Sequence, residues 1–108
     1  MTNLLQKRDE QRIQRREELR LEVRRQLRDA LCELIPGQQV LLFGSITRPY
    51  QFHGASDIDI AFLQEPSASR YGLQSRIEER IGWPVDLVVL SECRFRRKIE
   101  REGETWTS

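Results

Sequence analysis

Histidine occurs once in the 108-residue sequence, cysteine twice, and methionine only at position 1. Cys32 and Cys93 lack ligand spacing, and His53 has no second histidine or cysteine nearby. That leaves no Cys/His metal site and no disulfide framework; reduced, partly buried thiols are expected, and His53 is read as a loop residue. No apolar run approaches the ~20 residues needed to span a bilayer, and the first residues lack the apolar segment of a secretory signal. The expectation is a cytoplasmic protein with no membrane partner. A charge excess is missing too. The 18 basic and 17 acidic residues leave a net charge of +1, so overall charge makes no case for a nucleic-acid partner. Aromatic residues are 7% of the chain and charged residues 32%, so the apolar material must be concentrated if this length is to build one core. There is no internal repeat.

The residues between Asn3 and Ile35 include no glycine or proline, and Pro36-Gly37 follows. One long helix is predicted, ending there. Leu19, Val23, Leu27, Ala30, Leu31 and Leu34 recur at three- and four-residue spacing, one stripe of an amphipathic helix. Before Leu19 only Leu4, Leu5 and Ile13 are apolar. The second half should pack on the core, while the first half has little to bury. That first half is either a solvated, frayed extension or an arm that docks on a partner, and its mixed charge argues against a nucleic-acid arm. Residues 1–35 are therefore one unit and residues 36–108 the core.

The core is organised around carboxylates in strands. Val40 to Phe43 reads as a buried strand that stops at Gly44-Ser45. A polar loop follows, then a second strand from about Asp57 to Gln64 with two carboxylates at its start. Residues two apart on a strand share a face, so Asp57 and Asp59 project together and Ile58 and Ile60 point the other way. A third strand, Val85 to Leu90, carries Asp86 on a face with Val88 and Leu90. Aspartate is a poor strand former. Two carboxylates about 4 Å apart repel by about 4 kcal/mol at an effective dielectric of about 20. A divalent cation turns that repulsion into attraction, and carboxylate oxygens suit Mg²⁺ or Mn²⁺. The alternative for a lone Asp-x-Asp is a turn cap and an exposed sheet edge. The Gly-Ser turn before the pair and the third strand aspartate after it favour the metal site.

Between the strands, Glu65-Pro66-Ser67 reads as a turn, and Ser67 or Ser69 as the cap of a helix from about Ser69 to Ile81. Leu73, Ile77 and Ile81 form its stripe, and Gly82 suits a left-handed C-cap. Tyr71 either packs or stays exposed. Ser91 is read as the cap of a final helix with Phe95 and Ile99 as its apolar contacts. Arg94, Arg96, Arg97, Lys98 and Arg101 make that helix basic. It is either a solvated face or a docking surface for an acidic partner or for phosphates. Trp106 sits in a short tail that folds back or meets a partner.

Gly44-Ser45, then Arg48, then Ser56-Asp57-Ile58-Asp59-Ile60, then Asp86 in a later strand resembles the nucleotidyltransferase superfamily with a DNA-polymerase-β-like palm. The size is similar to its minimal nucleotidyltransferase (MNT) branch, and the resemblance covers roughly residues 40–103. The fold it implies is α+β: a small mixed sheet of three strands with the carboxylates at one end, helices mainly on one face, and the long N-terminal helix. The resemblance implies that Asp57, Asp59 and Asp86 are catalytic and hold Mg²⁺ in a two-metal arrangement. Asp86 either completes the second metal site or takes the proton of the attacking hydroxyl. Gly44 and Ser45 would cradle the nucleotide's phosphates in a turn entering a short helix, with Arg48 assisting. Pro49 disfavours helical geometry at Arg48, so that helix is about one turn.

MNT proteins of this kind are antitoxins of HEPN-type ribonuclease toxins, to which they transfer AMP from ATP on a tyrosine. The resemblance therefore implies a protein adenylyltransferase in a hetero-oligomeric complex with its toxin. The chain has little room for an acceptor pocket of its own, which fits an acceptor presented by another protein. The alternatives are an antitoxin that inhibits by binding alone, or a nucleotidyltransferase acting on a small molecule or RNA.

Overall fold

A computed structural model describes residues 4–66 and 69–108. Helix α1 spans Leu4–Leu34, and the uninterrupted run without glycine or proline carries it through its whole length. The expected start at Asn3 lies outside the described residues. Val23, Leu27, Ala30 and Leu31 are buried, whereas Leu4, Leu5 and Ile13 remain exposed. Packing therefore begins midway along α1, as the apolar stripe predicts.

Four strands follow: β1 (Gln39–Phe43), β2 (Ile58–Phe62), β3 (Val85–Val89) and β4 (Glu104–Thr107). Helix α2 (Arg70–Ile81) joins β2 to β3, and the short helix α3 (Arg96–Glu102) precedes β4. The sheet order is β3-β2-β1-β4. β1 runs antiparallel to β2 and β4, and β2 runs parallel to β3. A parallel pair needs a crossover, which α2 supplies. Leu73, Ile77 and Ile81 are its buried stripe, and Gly82 ends it in the left-handed region at φ 66°. Ser69 occupies the N-cap position without a side-chain hydrogen bond, and Ser67 lies outside the described residues.

The main core lies between the sheet and the α1/α2 layer. Val40, Leu42, Ile58, Ile60 and Phe62 face Leu27, Leu31 and Ile77 across it. Strand alternation sends Leu41, Ala61 and Val88 to the opposite face, where Ile99 of α3 and Leu90 cover a smaller cluster. Asp59 and Asp86 lie on this second face by the same alternation. No helix of the described residues is long and apolar enough to cross a membrane.

The structure corrects five details. The sheet has a fourth strand, and Trp106 is its anchor: buried, registered against Val40, with the guanidinium carbons of Arg24 and Arg28 at 5.1 and 4.8 Å from its ring centroid. Ser91 does not cap α3. It sits inside a short 3₁₀ turn, Leu90–Glu92, and α3 starts only at Arg96 with Phe95 at its N-cap. Phe95 is 64% exposed, leaving Ile99 as the buried apolar contact of α3. β2 begins at Ile58 and ends at Phe62, so Asp57 precedes the strand rather than opening it. Of the two free thiols, Cys93 is partly buried as expected, but Cys32 is exposed.

Candidate active site

β1 ends at Phe43, and the chain turns at once into a 3₁₀ helix, Gly44–Thr47. Arg48 leaves it in extended geometry (φ −110°, ψ 120°), as a residue before proline should. Gly44 has φ 79°, in the left-handed region. Any Cβ there would also overlap the Oδ2 of Asp59 and come within 3.4 Å of its Cγ. Glycine is therefore required twice at this position, by backbone conformation and by the carboxylate lying against it.

Two neighbours fix Asp59. It is registered against Phe43 of β1 and against Asp86 of β3. Two strand aspartates thus lie side by side on the α3 face, with Asp57 just before β2. Asp59 is partly buried, and its carboxyl is pushed up to about 6, first by burial and then by the charges of Asp86 and Asp57. Asp57 and Asp86 are exposed. Among the described residues, no arginine, lysine or histidine forms an ion pair with any of the three. The sequence holds Asp57 in place through its loop. Phe52 is fully buried and packs against Trp83 with ring centroids 5.2 Å apart and planes tilted by 38°, and the Trp83 indole N–H donates to the Ser56 carbonyl at 2.7 Å. The Ile58 N–H donates to the Pro84 carbonyl. Phe52 is thus a core plug.

Carboxylates that form no ion pair within the protein suit a hard divalent ion. Among the described residues no three Asp, Glu, His or Cys side chains close on a point as a ready-made metal cage. Mg²⁺ characteristically takes one or two carboxylates and completes its shell with water and substrate phosphates. The donor chemistry fits that mode of binding.

Arg48 is exposed, with a guanidinium nitrogen 3.8 Å from Glu102. It reaches a recess of about 350 Å³ that Phe43, Gly44, Asp86, Phe95 and Lys98 help to line. The domain therefore carries an apolar hollow beside Asp86, more room than the sequence suggested. Larger hollows, such as that of about 530 Å³ along Lys7 to Glu18, are lined by none of the three aspartates. His53 stays in its loop, where its Nδ1 accepts from the Ala55 N–H.

Sequence reasoning missed the polar seam under the Gly44 turn. Glu17 and Arg20 of α1 are buried, and Arg20 donates to the Ile46 carbonyl at 2.9 Å. Arg24 donates to the same carbonyl and to Glu104 of β4. The available signal was helical phase: Glu17 and Arg20 continue the buried stripe of Val23 and Leu27 backward in steps of three, so charged residues occupied core-facing positions.

Chains of similar architecture occur in solved toxin-antitoxin structures. A chain in a crystal structure of a toxin-antitoxin with AMP-PNP is 28% identical, with a TM-score of 0.59, covering 78% of this chain and 73% of that one. A chain in the MntA-HpeT toxin-antitoxin carrying a tyrosine-to-alanine mutation is also 28% identical, with a TM-score of 0.54, covering 74% of this chain and 68% of that one. No curated protein matches. Residues 24–105 match the family model of the nucleotidyltransferase domain, a span that contains the Gly44 turn and all three aspartates, and the chain belongs to that family.

Proposed function

We propose that this protein is an antitoxin that acts as a Mg²⁺-dependent adenylyltransferase, moving AMP from ATP to a tyrosine of a HEPN-type ribonuclease toxin. The observation that carries the reading is the placement of Asp59 against Gly44 and beside Asp86, with neither carboxylate in an ion pair among the described residues and with Arg48 and Lys98 lining the adjacent recess. The likeness to a toxin-antitoxin with AMP-PNP supports both the nucleotide and the partner.

Gly44 and Ser45 receive the phosphates of ATP, and Arg48 reaches them from the loop. Asp57 and Asp59 would hold Mg²⁺, which when bound would supply charge neutralisation at the triphosphate and at the attacking and leaving oxygens. The acceptor oxygen forms a bond to the α-phosphorus, and the bond from that phosphorus to the bridging oxygen of the β-phosphate breaks, releasing pyrophosphate. Asp86 takes the hydroxyl proton. Positioning and charge neutralisation supply most of the rate.

Calorimetric titration of Mg·AMP-PNP into Asp57→Ala and Asp59→Ala tests the assignment. Both variants should stay folded and lose binding. Parent-like affinity in both, with intact folding, would show that these carboxylates do not hold the metal-nucleotide.

A further inference from the structure

α1 holds two charged residues, Glu17 and Arg20, at 9% and 8% exposure in a helix half otherwise turned to solvent. Burying an ion pair is a weak route to stability, since an apolar pair of similar volume is often as good or better. Their contacts point to another role. Arg20 Nε donates to Glu17 Oε1 at 2.5 Å, and its Nη1 donates to the Ile46 carbonyl. The other Glu17 oxygen, Oε2, accepts the Tyr50 backbone N–H at 2.7 Å. Tyr50 has φ 66°, the one left-handed residue other than glycine among those described. Such strain persists only where surrounding contacts enforce it. The Gly44 and Ser45 carbonyls are satisfied within the turn, by the Thr47 hydroxyl and the Arg48 N–H. The Ile46 carbonyl and the Tyr50 N–H are instead held from α1.

Each guanidinium at Ile46 already has its own carboxylate, Glu17 for Arg20 and Glu104 for Arg24. The seam therefore adds little net charge near the turn; what it supplies is geometry. We infer that Glu17 and Arg20 are positioning residues that set the Gly44–Tyr50 segment from α1, so the long helix fixes the shape of the phosphate-binding turn. This rests on the phosphate-binding reading of that turn. Displacements of about 1 Å at a reacting centre cost up to about 100-fold, so a loosened turn has a measurable effect.

The test pairs nucleotide affinity with amide hydrogen exchange in the free protein. The double variant Glu17→Leu/Arg20→Met keeps the helix packed but removes both contacts. It should fold, lose exchange protection at the Tyr50 amide, and bind Mg·AMP-PNP about tenfold more weakly. Glu17→Ala should show the same pattern, and Glu17→Gln, which keeps an oxygen facing Tyr50, should restore both readouts toward the parent. If the double variant fails to fold, the contrast between Glu17→Ala and Glu17→Gln decides. Unchanged affinity despite lost protection overturns the inference while leaving the active-site reading intact. A parent protein that binds no AMP-PNP overturns the phosphate-binding reading, and the inference with it.

Discussion

Replacing Gly44 with alanine should cost more than any ordinary Gly→Ala change in this domain, and the excess should come from Asp59. A left-handed backbone costs a non-glycine residue about 1–2 kcal/mol. The new Cβ would also overlap Asp59 Oδ2. Rotating that carboxylate off its preferred rotamer adds about 0.5–1.5 kcal/mol. The sum is about 1.5–3.5 kcal/mol, or about 6–28 °C in Tm for a domain of this size. Gly82→Ala is the control. Gly82 has φ 66°, but a Cβ there meets nothing within 4 Å, so only the backbone cost applies. Both substitutions stiffen the unfolded chain alike, so their difference isolates the contact. A double-mutant cycle with Asp59→Ala goes further. With the carboxylate gone, the nearest remaining Asp59 atom is its Cβ at 3.7 Å, an ordinary contact. Gly44→Ala should then cost about as much as Gly82→Ala, leaving a coupling of about 1 kcal/mol. Denaturant titration of the four proteins measures it. Zero coupling, or equal costs for Gly44→Ala and Gly82→Ala in the parent, would refute the close packing of the turn on Asp59.

Asp59 should also make metal-free stability depend on pH. Its folded value of about 6 lies above the ordinary 3.8, so its favourable contribution is complete below about 3.8 and is lost as pH rises through about 6. That difference corresponds to about 3 kcal/mol, which solvent screening around a half-exposed carboxyl reduces to about 1–2 kcal/mol. Asp59→Asn should remove this part of the slope in urea titrations between pH 4 and 7; identical slopes would contradict the burial of Asp59 beside Asp86. Trp106→Ala should cost about 3–5 kcal/mol, because Trp106 anchors β4, whereas exposed Phe95→Ala should change stability by less than about 0.5 kcal/mol. Chemical denaturation of both variants checks the pair, and comparable losses would contradict the fourth strand.

What the sequence made legible was whatever periodicity and turn chemistry control directly. The stripe from Val23 to Leu31, the α2 stripe ending at Gly82, and the alternations that separate Asp59 from Ile58 and Ile60 and Asp86 from Val85 and Leu87 follow from local rules and recur in the fold, whereas the pairing of Asp59 with Asp86 is set by the β2–β3 register. The Gly44 turn was visible as a motif, but its reason was not, because the Asp59 contact joins β1 to β2 across the sheet. β4 was missed because Glu104-Thr105-Trp106-Thr107 offers one large apolar residue, and an edge strand needs no more. Ser91 had the right chemistry for a cap, but the chain spends Leu90–Glu92 on a 3₁₀ turn that buries Leu90 first. Glu17 and Arg20 were hidden by their charge. Composition assigned that half of α1 to solvent, while its phase aimed these two at the turn.

The most direct test of the proposed protein adenylylation is the intact mass of the proposed HEPN-type toxin partner after incubation with this protein, ATP and Mg²⁺, with Asp57→Ala in parallel. The proposed activity predicts a gain of one or more AMP units on the toxin, absent with Asp57→Ala, and located on tyrosine by peptide mapping. An unchanged toxin mass, with parent and Asp57→Ala forming equally tight complexes, would contradict it and make the protein an antitoxin that works by binding alone.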